Sequence, residues 1–291
     1  MNDKRKVQIG FVGQGWIGKN YADEFSGRGF SITRYSQEEG YIVNKDKIAE
    51  CDIVFIAVPT PTTPAGFDDR VVKEVVKLVG KGKIAVIKST ILPGTTKRIQ
   101  SENRDIIVLH SPEFLSEATA RHDAGHPMRN IVGIPLSTSE HRQAAERVLS
   151  ILPEASFKLI CDSDEAEIIK YGANTFFYVK IVYMNMLYDL SQKHGADWNV
   201  IKSAFLSNPW MGNMHFDPVH KSGRGAGGSC FIKDFAAFSK MIEKELSDKD
   251  GYLDMLHAIE KVNLALLIST SKDLKLIQSV YGEEILKCAL S

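Results

Sequence analysis

The sequence predicts an α/β protein: a doubly wound parallel sheet followed by an all-helical domain with a long central helix. Three observations predict it. Short β-rich runs alternate with helix-like stretches from residue 7 to about residue 110, the pattern of a parallel sheet covered on both faces. A glycine-rich turn, Gly13-Gln14-Gly15-Trp16-Ile17-Gly18, separates the first such run from the first helix. From Asp162 to His194 the chain reads as one long helix.

Val7 to Val12 is the first strand, and a helix follows from Lys19 to about Phe25. Between them the three glycines stand where a Rossmann-type dinucleotide fingerprint needs them. Gly13 makes the tight turn, Gly15 lets a pyrophosphate reach the backbone, and Gly18 lets helix and strand pack closely. Ile32 to Tyr35 is the second strand. An acid that bonds the ribose hydroxyls usually ends this strand in NAD-binding units. Here Ser36 takes that place, with Arg34 two residues earlier, which leaves NADP open beside NAD. Taken alone, Arg34 fits a solvated side chain slightly better. The short link to the next strand leaves room for one brief helix near Lys45 to Ala49.

Asp52 to Val58 is a near-continuous apolar run, as expected of a strand buried on both faces. Lys83 to Lys88 and Asp105 to Leu109 repeat it, and Asp69 to Val79 reads as a helix. Ligands of such sheets bind beyond the C-terminal strand ends. Three polar turns fall there: Pro59-Thr60-Pro61-Thr62, Ser89-Thr90 and Ser111-Pro112-Glu113. Residues 1–160 are assigned to this domain and 161–291 to the helical one.

Ser163, Glu165 and Glu167 make a favourable N-terminus for the long helix, and Gly195 ends it. Ile168, Tyr171, Phe176, Phe177, Val179, Ile181, Met184 and Leu187 cover most of its circumference. It is expected to be central, and too apolar for one small domain to cover, hence a homodimer interface. Lys170 and Asn174 share a face, and Asn185 returns to nearly the same direction. A lysine there is costly unless paired or used. By itself Lys170 fits a side chain that snorkels into water.

Residues 197–206 read as a short helix, and Asn208 to Gly228 as a long irregular segment, a length usually tied to function. It delivers Cys230, just before a helix from Phe231 to about Glu245. The helix dipole and Lys233 both favour thiolate there. A lone cysteine is more often inert packing. The glycines before this one let a backbone or substrate approach closely, which packing does not require. Tyr252 to Val280 reads as a final helix.

The chain has 291 residues with 36 basic and 36 acidic side chains. That balance argues against a dominant nucleic-acid or membrane partner. The four cysteines form no CxxC pair, so no disulfide framework or metal site is expected, and a reducing cytoplasmic setting is. Met1 to Lys6 lacks the apolar core of a signal peptide, and no apolar run reaches membrane-spanning length.

Six motifs occur together in one order. They are Gly13-x-Gly15-x-x-Gly18, Val58-Pro59-Thr60-Pro61-Thr62, Lys88-Ser89-Thr90, Pro112-Glu113-Phe114-Leu115-Ser116-Glu117, Lys170-x-x-x-Asn174, and Gly225-x-Gly227-Gly228-Ser229-Cys230-Phe231-x-Lys233-Asp234. In this the chain resembles the nucleotide-sugar 6-dehydrogenases, the group that acts on UDP-glucose, GDP-mannose and UDP-N-acetylmannosamine. The resemblance implies NAD-dependent oxidation of a sugar primary alcohol to a uronate, with Cys230 capturing the aldehyde as a thiohemiacetal and then a thioester. It implies that Lys170 and Asn174 stabilise the oxyanion, that Asp234 and Thr90 hold a water or relay a proton, and that Glu117 is the base for hydrolysis. It places the cofactor on Gly13, Gly15, Trp16, Ile17 and Gly18. Further cofactor contacts fall on Arg34, Ser36, Val58, Pro59, Thr60, Ser89, Thr90, Glu117 and Lys233. It places substrate on Glu113, Phe114, Leu115, Lys170, Asn174, Gly225 and Gly227, with Glu113 shaping the loop.

Two departures stand out. The family's third, nucleotide-gripping domain is expected to be missing, since the sequence ends at Ser291. The family's Asp-Pro-Arg-Ile-Gly segment reads Asn208-Pro209-Trp210-Met211-Gly212, without its substrate-binding arginine. Two alternatives remain. A two-electron dehydrogenase of the β-hydroxyacid or 6-phosphogluconate type needs no cysteine, so Gly227 to Asp234 argues against it. A non-catalytic dinucleotide-binding partner subunit would not require the intact catalytic set.

Overall fold

The computed structural model describes residues 7–249 and 251–288. Met1 to Lys6, read above as no signal peptide, lie outside the described residues. The chain divides into two compact units. One holds Met1–Thr60 and Asp68–Lys170, the other Pro61–Phe67 and Tyr171–Ser291. The division falls inside the long helix, whereas the sequence placed it at that helix's start.

The first unit is a seven-stranded sheet with helices. Its strands are β1 (Gln8–Val12), β2 (Ser31–Tyr35), β3 (Ile53–Ile56), β4 (Ile84–Ile87), β5 (Ile107–His110), β6 (Arg129–Ile134) and β7 (Phe157–Asp162). They lie in the order β2-β1-β3-β4-β5-β6-β7. The strands from β2 to β5 run parallel. Beyond these the sheet is mixed: β6 meets β5 antiparallel, and β7 pairs parallel with β6. The link from β5 to β6 carries one short helix, Ala120–Gly125, and re-enters the sheet at the edge where β5 ends. β3 and β4 are buried at every residue, as their unbroken apolar runs require. Phe11 stacks on Phe55 at 5.1 Å and meets Phe25 edge-on at 5.5 Å, which joins β1, β3 and helix α1 (Trp16–Gly27). The brief helix expected near Lys45 is a pair of 3-10 turns, Ile42–Asn44 and Asp46–Glu50. Helix α2 is Arg70–Val76 and α3 is Thr95–Glu102. Short α4 is Ala120–Gly125 and α5 is Ser139–Ile151.

The long helix, α6, spans Ser163–Lys193. Glu165 accepts from the Asp162 N–H at 2.9 Å, the reciprocal half of a capping box. Glu167 turns away from this end and serves α3 instead.

The second unit is helical: the rest of α6, α7 (Trp198–Leu206), α8 (Gly228–Glu245), α9 (Tyr252–Ser269) and α10 (Leu274–Tyr281). Tyr178 of α6 stacks on Phe235 of α8 at 3.9 Å. Ile232 and Ala236 of α8 pack with Leu267, Ile277 and Val280. The single helix expected from Tyr252 to Val280 is two. Ser271 and Asp273 take positive φ angles of 55° and 56°, and the chain turns there. The segment from Asn208 to Gly228 is less irregular than expected. It holds a 3-10 turn at Pro209–Met211 and a ribbon of Val219–His220 with Gly223–Arg224. A second ribbon, Thr62–Thr63 with Gly66–Phe67, joins this unit, and Lys240 of α8 donates to Pro64 O at 2.8 Å. Among the described residues, no helix is long and apolar enough to cross a membrane.

Candidate active site

The glycine turn of the first unit is fixed by packing at two glycines and open at the third. Gly13 has φ of 91°, and a Cβ there would lie 2.1 Å from Ala57 O. One on Gly18 would lie 2.0 Å from Gly13 O. One on Gly15 would meet nothing within 4 Å. Gly15 is also the N-cap of α1, no side chain caps that helix, and its first turn carries no acid. Trp16 and Ile17 follow in that turn, half-buried. An open, uncapped helix N-terminus next to exposed backbone suits the pyrophosphate of a dinucleotide.

At the end of β2 the structure corrects one expectation. Arg34 is not a solvated side chain: its guanidinium pairs with Asp23 of α1 at 2.7 Å. Ser36 Oγ accepts from the Glu38 N–H at 3.2 Å. The polar turns after β3 and β4 are clasped together. Ser89 Oγ accepts from Val58 N at 3.0 Å and donates to Val58 O at 2.7 Å. Thr60 Oγ1 donates to Thr90 O at 2.8 Å. Pro59, between them, is exposed.

Beneath the turn after β5 lies a buried charged cluster. Lys170 does not snorkel: it is 4% exposed, and its ammonium donates to Glu113 Oε1 at 2.9 Å. Glu113 is itself buried, and its other oxygen accepts from Leu115 N at 2.6 Å. Glu113 therefore holds Lys170 as well as its own loop. Phe114 lies under the Arg129 guanidinium at 3.7 Å. Lys88 is buried too and donates to Ser111 O at 2.9 Å. Burial pushes its pKa down to about 7, with Lys170 also lowering it and Glu113 opposing. His110 is likewise pushed down to about 3 by burial. Glu117 is exposed.

In the second unit the cysteine lies inside its helix rather than before it. Gly227 is the N-cap of α8, so Cys230 sits in the first turn, half-buried, with Ser229 Oγ 3.9 Å from its sulfur. One turn on, Asp234 is 1% exposed. It accepts from Asn174 Nδ2 at 2.6 Å and from Lys233 Nζ at 2.5 Å. Asn174, Cys230, Lys233 and Asp234 thus gather at one end of α8. Asn185 does not join Asn174: it accepts from Arg224 Nε at 2.9 Å, and Arg224 also pairs with Asp189.

Sequence reasoning missed the residues that hold the cysteine loop. Asn263 is 1% exposed, accepting from Ala226 N at 2.6 Å and donating to Ala226 O at 3.0 Å. Thr270 Oγ1 accepts from Arg224 N at 3.1 Å, Lys272 Nζ donates to Gly225 O at 2.9 Å, and Asp273 accepts from Gly228 N at 2.7 Å. A Cβ on Gly225 would lie 2.9 Å from Asn263 Oδ1, and one on Gly227 2.1 Å from Asp273 Oδ2. The protein itself makes a close approach at both glycines. One signal was present. Thr270-Ser271-Lys272-Asp273 is a polar run inside an otherwise apolar helical pattern.

The comparisons with known proteins agree with this architecture. The family model described as the UDP-glucose/GDP-mannose dehydrogenase family, NAD binding domain, matches residues 41–152, and that family's central-domain model matches residues 164–265. The first match begins after the glycine turn, and the second ends before Thr270. A UDP-glucose 6-dehydrogenase of Rickettsia prowazekii is 31% identical over 207 residues, 68% of this chain and 46% of that protein. The structure of a UDP-glucose dehydrogenase from Pyrobaculum islandicum aligns with a TM-score of 0.77 at 25% identity, covering 96% of this chain and 72% of that one. A 3-hydroxyisobutyrate dehydrogenase of Mycobacterium tuberculosis, with L-serine, aligns with a TM-score of 0.69 over 98% of this chain and 99% of that one. At 14% identity this likeness shows the fold alone. The chain spans between 29% and 56% of the length of the curated relatives compared. The chain belongs to the UDP-glucose/GDP-mannose dehydrogenase family.

Proposed function

We propose that this chain oxidises the primary alcohol of a nucleotide sugar to a carboxylate through a covalent intermediate on Cys230. The observation that carries this is the Asn174–Asp234 hydrogen bond of 2.6 Å. It brings two motifs far apart in sequence to one end of the cysteine's helix. Such convergence on a thiol near a helix N-terminus suits nucleophilic catalysis.

A nicotinamide dinucleotide, bound at the Gly13–Gly18 turn, supplies the two-electron acceptor for each oxidation. The alcohol first becomes an aldehyde. Cys230 sulfur adds to the aldehyde carbon and forms a C–S bond. A second oxidation gives the thioester. Water then attacks, the C–S bond breaks, and the carboxylate leaves with the thiol restored. Lys170 and Asn174, four apart on α6, are assigned to the oxyanion. The Asn174 amide keeps a second N–H beside the one given to Asp234. Asp234 is assigned to orienting water, Thr90 to the proton relay, and Glu117, which is exposed, to the base.

Arg34 pairs with Asp23, whose other oxygen takes Lys19, so the cluster keeps one net positive charge and NADP stays open beside NAD. The test is stoichiometry with UDP-glucose, GDP-mannose and UDP-N-acetylmannosamine. Two reduced cofactors per carboxylate are expected, and Cys230→Ser should form none. One reduced cofactor per substrate, with Cys230→Ser fully active, would instead identify a two-electron dehydrogenase. Cofactor binding without turnover would identify a non-catalytic subunit.

A further inference from the structure

The last turns of α9 and the turn between α9 and α10 grip the cysteine loop at several residues. Thr270 takes Arg224 N, Asn263 takes both backbone groups of Ala226, Lys272 takes Gly225 O, and Asp273 takes Gly228 N. Lys272 is 5% exposed and Asn263 1%, so these bonds are made out of water. Asp273 adopts a left-handed backbone, φ 56°, which costs a non-glycine residue about 1 kcal/mol or more. That conformation accompanies the carboxylate's placement on the first N–H of α8.

We propose that Lys272 and Asp273 are positioning residues for Cys230, fixing its loop and setting opposed charges at the N-terminus of its helix. The inference rests on the reading of Cys230 as the nucleophile. Both residues lie beyond the stretch matched by the family's central domain, which ends at 265. Asp273 places a negative charge at the helix end where the backbone dipole would otherwise favour thiolate. Lys272 places a buried positive charge beside it. The other charged or titratable groups at this end are Lys233 and Asp234 of α8, Lys221 of the ribbon turn, which acts electrostatically on Lys272, and His215, whose ring meets Phe231 at 5.7 Å. Lys233 and Asp234 are paired at 2.5 Å, and Lys272 and Asp273 add one charge of each sign from the loop side.

The pair has opposite expected signatures. Asp273→Asn keeps an oxygen for Gly228 N but removes the charge. It should move the pH profile of Cys230 alkylation by iodoacetamide to lower pH by roughly half a unit or more. Lys272→Met should move it to higher pH by a similar amount. The profile is read by mass spectrometry of the Cys230 peptide in the full chain, with thermal unfolding to confirm that each variant is folded. A purely structural role would change reactivity in both variants in the same direction or leave both profiles in place, and either result overturns the proposal. If a variant does not fold, Asp273→Glu and Lys272→Arg, which keep each charge, should retain the wild-type profile, and a shift there equally overturns it. The readout is independent of turnover. If Cys230→Ser still makes carboxylate, the proposed function fails while this test stands.

Discussion

Lys170 and Glu113 form an ion pair with side chains only 5% and 3% exposed. Removing either partner leaves the other charge in a dry site, which typically costs about 3–5 kcal/mol. Glu113→Gln should therefore lower the denaturant midpoint sharply. The double change Glu113→Gln with Lys170→Met should recover much of the loss, as equilibrium unfolding would show. The sequence made Lys170 legible as a costly residue that needed a purpose. It did not make the partner legible, because Glu113 sits 57 positions away and the turn after β5 decides where its carboxylate points. Arg34 taught the same lesson on a smaller scale. Its exposure could be guessed from a strand end, but its pairing with Asp23 depends on the helix packed above it.

The N-terminus of α3 is capped from outside by α6. Glu167 accepts from Gly94 N at 2.7 Å, Thr96 N at 2.9 Å and Thr96 Oγ1 at 2.6 Å, and Lys97 binds Asp162 and Asp164 beside it. Burial raises the Glu167 pKa to about 7, against the three donors that lower it. A carboxyl whose folded pKa lies above its unfolded value favours the folded state most when protonated. Its stabilising effect is complete below about pH 4.5 and is lost as pH rises to about 7. Relative to a Glu167→Gln variant, wild-type thermal stability should fall across that window. The difference should be on the order of 3 kcal/mol. Parallel melting curves would show no pH-dependent gap if Glu167 ionises normally. α6 was readable from end to end, because its apolar pattern and terminal acids agree. The break at Thr270–Asp273 was marked only by its short polar run, because apolar spacing resumes on the far side and the positive φ at Ser271 or Asp273 falls on residue types that helices also hold.

On the scale of the whole molecule, alternating strands and helices were enough to place β1 to β5 and the glycine turn. β6 and β7 escaped because nothing in a short apolar run states its direction, and the outermost strand exposes Phe157 and Lys158. α6 leaves Phe176, Tyr183, Met186 and Leu190 exposed, at 49–63%. These residues recur roughly every three or four or seven positions along one side, a stripe suited to a second helix. We propose a homodimer through this row. Light scattering at micromolar concentration should give twice the 32.4 kDa chain mass. Phe176→Asp with Leu190→Asp should reduce it to one chain mass, and a wild-type monomer would remove the idea.

The ribbon at residues 62–67 has a consequence for how the chain comes to be folded. The chain passes between its units after Thr60, after Phe67 and again after Lys170. The ribbon is made early in synthesis, yet its partners, α8 and α10, come more than 150 residues later. Until then a short polar hairpin must wait, solvated, while the sheet assembles on either side of it. A fragment that stops at Lys170 would keep that hairpin permanently without its docking site. The first unit is thus continuous in space but not in the gene's order, and no single cut releases both units whole.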